Sequence, residues 1–92
     1  MTLINRLQDE QGAQIVLSGS LRDLASAFLH EADQTRSIRR RSQIRREAQQ
    51  ITLVAQLVEQ GTYNALRAEA WLEASQHQLA QHRKERRRAA HA

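Results

Sequence analysis

The chain has 92 residues, no cysteine, no proline and three glycines, with a net charge of +4. This is one small domain near the lower limit of a self-sufficient core, with no disulfide or thiolate chemistry to support it. Only Phe28, Tyr63 and Trp71 are aromatic, and the abundance of alanine and glutamine favours an all-α fold over a sheet.

The net charge conceals four alternating blocks. Residues 1–35 sum to −3, residues 36–46 to +6, residues 47–82 to −3 and residues 83–92 to +4. Such blocks read as addressed surfaces. Thirteen of the fourteen cations are arginine, whose planar fork suits bidentate contact with carboxylate or phosphate. The amino terminus lacks the apolar stretch of a signal peptide, and no window approaches the roughly 20 apolar residues that span a bilayer. The expectation is a soluble, cytoplasmic protein.

In chain order, residues 1–19 are expected to form a short segment packed on the rest. Leu3, Ile4 and Leu7 make an amphipathic turn ending near Gly12, and Gln14 to Ser20 reads as irregular or helical. Ser20 with Asp23 has capping-box spacing, so a helix is expected to begin there. No glycine or proline interrupts residues 21–60. A single long helix over 20–60 is favoured, with a break near 33–37 as the alternative because Asp33, Thr35 and Ser37 can all act as caps.

Gly61 is a candidate C′ residue and Thr62 the candidate N-cap of a returning helix over 62–88, followed by a frayed tail at 89–92. The connection implies a long antiparallel helical hairpin. Its seam would be Ile44, Ala48, Ile51, Val54, Ala55 and Val58 against Ala65, Ala68, Leu72, Ser75 and Leu79. In that register Ile51 and Val58 face Leu72 and Leu66. An alanine-rich pair of helices buries little area against its conformational entropy. The missing core is therefore expected from a second copy, as a homodimer, or from another protein. Leu21, Leu24, Phe28 and Trp71 are the candidate oligomer or partner interface.

The fold-back would bring Arg36, Arg39, Arg40, Arg41, Arg45 and Arg46 to the same end as Arg83, Arg86 and Arg87. These nine are the candidate partner-binding residues. Glu47, Glu59, Glu69 and Glu73 would leave the turn end acidic. The first cluster surrounds its helix at 100° per residue instead of marking one face, which argues against a membrane-lying helix. A basic region running into a zipper is weakened by Glu47 and Gly61, and residues 36–46 hold no asparagine to read adenine.

No catalytic motif is present in the sequence. Ser18-Gly19-Ser20 lacks the nucleophile-elbow frame, and no glycine-rich phosphate loop or paired-carboxylate spacing occurs. His77 and His82 are five apart, poor spacing for metal ligands on one helix face, and read as surface histidines. No cofactor, metal or small-molecule substrate is implied. The expected function is a non-catalytic protein–protein interaction module: an adaptor, co-chaperone or regulator, for example of a bacterial secretion or assembly system. The alternative is a nucleic-acid-binding protein using the converging arginines.

Overall fold

A computed structural model describes the backbone of residues 3–91 and the side chains of residues 12–91. The described residues are all-helical: α1 spans Leu3–Gln34, α2 Ile38–Glu59 and α3 Ala65–His91. The three pack side by side in the manner of a bundle, 60 Å long and 17–18 Å across.

The first helix departs most from expectation. It runs unbroken from Leu3, so Gly12, Gly19, Ser20 and Asp23 all lie within it and none ends or caps a segment. A glycine in a helix interior costs about 1 kcal/mol. Opposing that cost, Leu17, Leu21, Leu24, Ala25, Phe28 and Ala32 bury one stripe of α1 in the core. The side chains of Leu3, Ile4 and Leu7 lie outside the described residues.

The chain leaves the helix at Thr35–Ser37, so a single rod over 20–60 is replaced by two helices. Thr35 ends α1 by turning its own groups inward. Its Oγ1 donates to the carbonyl of Glu31 at 2.8 Å and its N–H donates to that of Ala32 at 3.1 Å. The α2 N-cap is Ser37, with φ −68° and ψ 120°, and its Oγ accepts the Arg40 amide at 3.4 Å. Arg41 closes the joint. Its Nε and one Nη both donate to the carbonyl of Thr35, at 3.1 and 2.8 Å, so a guanidinium holds an orphan carbonyl at the end of α1.

At the far end, Gly61 has φ +72°. Its amide donates to the carbonyl of Val58 at 3.0 Å and that of Thr62 to Leu57 at 3.1 Å, which is a Schellman closure. Thr62 does not cap α3; Asn64 does, its Oδ1 accepting the amides of Leu66 and Arg67 at 2.8 and 3.4 Å. An added Cβ at Gly61 would meet nothing within 4 Å, so the constraint there is conformational, not steric. Gly61→Ala is expected to lower stability by roughly 1 kcal/mol and Gly61→Asn by less. Chemical denaturation followed by helical ellipticity measures both.

The core lies chiefly between α1 and α2, which share the most extensive contact, while α3 lies against both more thinly. The α2 stripe Ile44, Ala48, Ile51, Val54, Ala55 and Val58 is buried as its spacing predicts. From α3, Ala68, Ser75, Leu79 and His82 are buried and Leu72 packs partly against the cluster. Leu66 is 75% exposed, so it does not cover Val58 as expected. Leu21, Leu24 and Phe28, expected between chains, are buried within one chain: α1 supplies the core that α2 and α3 lack. The helix continues to His91, so residues 89–91 of the tail expected to fray are helical, and Ala92 lies outside the described residues.

Near the Gly61 turn, Arg22 of α1 grips Glu59 of α2 with two hydrogen bonds, at 2.6 and 2.9 Å. The hydrogen bond from Arg22 holds the Glu59 carboxyl below the usual carboxylate range against an opposing desolvation, with the positive charge of Arg22 adding a lesser pull, and Arg22 is raised in turn. Because the folded value is depressed, the stability this pair adds is present above the ordinary carboxylate value. It is lost as pH falls through the lower folded one. The pair stands in solvent, so the effect is expected to be small and weakened by salt. Comparing the acid limbs of wild-type and Glu59→Gln denaturation profiles tests it: the difference at neutral pH should vanish in acid.

Candidate anion-binding end

Helix direction decides where the charge goes. The α2 partners of α3 run in opposite order, Glu47 meeting Gln78 and Arg40 meeting Glu85. The carboxy-terminal turns of α3 thereby reach the joint between α1 and α2. Arg36 and Arg86, fifty residues apart, line the same cavity of about 240 Å³ together with Thr35, Ser37, Arg40 and Ala90. Residues 31–47 and 82–91 bring eleven Arg and Lys residues against Glu31, Asp33, Glu47 and Glu85, a net of +7 at this end.

Some of these cations are structural. Arg86 donates from Nε to Glu31 Oε2 at 2.6 Å, and the Glu31 side chain is only 3% exposed against 35% for Arg86. Arg40 joins the Glu85 carboxylate at 2.9 Å and reaches the carbonyl of His82 at 3.5 Å. Arg45 lies 3.5 Å from Asp33, and Arg41 serves the Thr35 carbonyl. Arg87 Nε donates to the carbonyl of Arg83 at 3.4 Å within α3. Among the described residues, Arg36, Arg39, Arg46, Arg83, Lys84, Arg87 and Arg88 form no ion pair. These lie on the joint, on α2 and on α3. The nine arginines singled out from the sequence thus divide into a set that holds the joint together and a set that faces outward.

Two buried polar contacts behind this end were not anticipated. One is Glu31 with Arg86. The other is His82, whose Nε2 lies 2.7 Å from Glu47 Oε2 while its ring meets Phe28 edge-on at 6.0 Å. His82 is buried, not a surface histidine, and its Nδ1 has no hydrogen-bond partner among the described residues. The sequence carries a signal for it, because His82 continues the 68, 75, 79 stripe of α3 at the next core position. Glu47 lies in this seam between α2 and α3 and not at the turn end.

The apolar surface left outside the core is scattered. Trp71, expected at an interface, is 36% exposed and lines a shallow hollow on α3 with Ala70, Ala74, Ser75 and Gln78. Leu29 and Leu53 are exposed across the α1–α2 groove. Among the described residues no group of His, Asp and Glu side chains could hold a metal ion, and no helix is long and apolar enough to cross a membrane.

No family model matches this chain, and neither does any curated protein or solved structure.

Proposed function

We propose that this protein is a non-catalytic helical interaction module, an adaptor, co-chaperone or regulator that presents its basic end to an acidic protein partner. A bacterial secretion or assembly system is one setting for such a module, and the cytoplasm its expected location. The observation that carries the reading is the set of cations at the joint, on α2 and on α3 that stay outside the internal ion pairs among the described residues. Carboxylates could have been placed beside them at little cost. A surface that keeps like charges together favours an anionic partner and speeds its approach. In this reading α2 and α3 act as a long antiparallel hairpin braced by α1. The half-exposed Trp71 offers a site for self-association or for the partner's apolar contacts.

Nucleic acid is the second reading, favoured by the dominance of arginine among the free cations. Replacing Arg39, Arg46, Arg83 and Arg87 together with Gln separates the free charges from those that hold the fold, and lowers the charge of this end from +7 to +3. All four are exposed and lie in helices, and Gln is a comparable helix former, so ellipticity should be unchanged. Retention on immobilised poly-glutamate and on duplex DNA, measured against salt, is the test. A fall on poly-glutamate larger than that on DNA supports the protein reading. A salt slope on DNA reduced by about one unit per removed cation supports the nucleic-acid reading. Unchanged retention on both would leave the arginines a solvated face.

A further inference from the structure

The cavity at the joint is more than a patch of positive surface, because its walls come from the end of α1, the joint, the first turn of α2 and the last turns of α3. We infer that it is a binding site for one phosphate monoester group, held by Arg36 together with Arg40 and Arg86. The inference deepens the proposed function: it names the chemistry that one point of the basic end would recognise, and it rests on that reading of this end as a binding surface.

Three observations support it. The first is convergence. Arg36 comes from the joint, Arg40 from α2 and Arg86 from α3, and all three line one cavity. The second is preorganisation. Arg86 is anchored through Nε to the buried Glu31 carboxylate, which leaves its Nη donors uncommitted among the described contacts. Arg40 is steadied by Glu85 and the His82 carbonyl. The joint itself is fixed by Thr35 and by the fork of Arg41. A ligand would meet donors whose ordering has already been achieved in folding. Arg36 forms no ion pair among the described residues and is free to close on the ligand.

The third is charge balance. Arg36, Arg40, Arg41 and Arg86 stand at the joint against the two carboxylates Glu31 and Glu85, a local surplus of +2. A phosphate monoester carries about −1.5 to −2 at neutral pH and presents three acceptor oxygens to guanidinium donors. A diester or a carboxylate carries only one negative charge and would leave half the surplus uncompensated. The first turn of α2 adds the partial positive charge of its amides, with Ser37 lining the same cavity. The volume of about 240 Å³ exceeds a bare phosphate and leaves room for the atoms that carry it. The group would therefore arrive on a phosphorylated side chain of the partner or as free phosphate.

Nuclear magnetic resonance of the isotopically labelled full chain provides the test. Inorganic phosphate, dimethyl phosphate, acetate and a phosphoserine peptide are titrated separately at constant pH and ionic strength. The amides of Arg36, Ser37 and Ile38 and the side-chain N–H of Arg36 and Arg86 are expected to shift saturably with phosphate. Dimethyl phosphate and acetate should require about tenfold higher concentration. Arg36→Gln should weaken phosphate about tenfold, the loss of one charge-assisted contact, with ellipticity unchanged. Tighter binding of the peptide than of inorganic phosphate assigns the group to a partner side chain, and the reverse assigns it to the free ion. Equal response to all four ligands, no effect of Arg36→Gln, or shifts centred on Lys84 and Arg88 would overturn the inference. If phosphate leaves the cavity unperturbed while poly-glutamate retention still depends on Arg39, Arg46, Arg83 and Arg87, the cavity inference falls and the interaction reading stands. If phosphate saturates the cavity but poly-glutamate is not retained, the interaction reading falls instead.

Discussion

Replacing Phe28 with alanine should cost this protein about 3–5 kcal/mol, the usual loss when a buried aromatic side chain is truncated. Phe28 is fully buried in the α1 stripe and also meets the His82 ring of α3. Its removal therefore opens a cavity where all three helices meet. A domain of this size is stabilised by only about 5–15 kcal/mol, so the variant should unfold at far lower urea concentration and be partly unfolded near body temperature. The same substitution discriminates between the two origins of the core. If Phe28 packed between chains, the loss would depend on protein concentration and would appear as dissociation. Packing within one chain predicts a loss independent of concentration across a hundredfold dilution.

The second large effect is expected at Glu31 and Arg86, and it should be asymmetric. Glu31 is almost wholly enclosed, whereas Arg86 keeps a third of its side chain in water. Arg86→Leu strands a carboxylate whose side chain is only 3% exposed. Breaking a buried pair from one side typically costs about 3–5 kcal/mol. Glu31→Gln leaves a guanidinium that can turn outward and should cost less, about 1–2 kcal/mol. The double substitution removes the stranded charge and should recover most of the Arg86→Leu loss, a coupling that a double-mutant cycle in urea reads directly. Strict additivity would show that the two groups do not depend on each other.

These two sites also indicate what a linear sequence conceals. The all-helical class, the α2 stripe and the Gly61 turn were legible because each is written in local spacing or in a backbone conformation that glycine alone adopts easily. The position of α1 was not. Gly12, Gly19 and Ser20 are breakers by propensity, and long-range burial of Leu17, Leu21, Leu24 and Phe28 overrides them. Leu21, Leu24 and Phe28 read as an interface between chains only while α2 and α3 are taken as the whole core; with α1 packed on them, the same side chains fill it.

At the candidate site, the meeting of the two arginine runs followed from chain direction once the turn at Gly61 was placed. Its internal division did not follow. Whether an arginine braces the fold or faces solvent depends on which carboxylate another helix brings to it. Glu31 is 55 residues from Arg86 and Glu47 is 35 from His82, and nothing in either local pattern records the pairing. This changes how the basic end should be tested. Removing Arg40 and Arg41 would disturb Glu85 and the Thr35 carbonyl, so substitutions there confound binding with folding.

On the proposed reading, the outward-facing cations at the joint, on α2 and on α3, and not the scattered apolar side chains, engage the partner. The most direct measurement is a matched capture from host lysate with three immobilised chains: wild type, the fourfold Gln variant at Arg39, Arg46, Arg83 and Arg87, and a variant with Leu29, Leu53 and Trp71 changed to Ser, Ser and Gln. One saturable protein partner is expected to be captured by wild type and released by salt, to be absent from the fourfold Gln variant and to be retained by the apolar variant. Capture that survives loss of the four arginines and disappears with Leu29, Leu53 and Trp71 would contradict it.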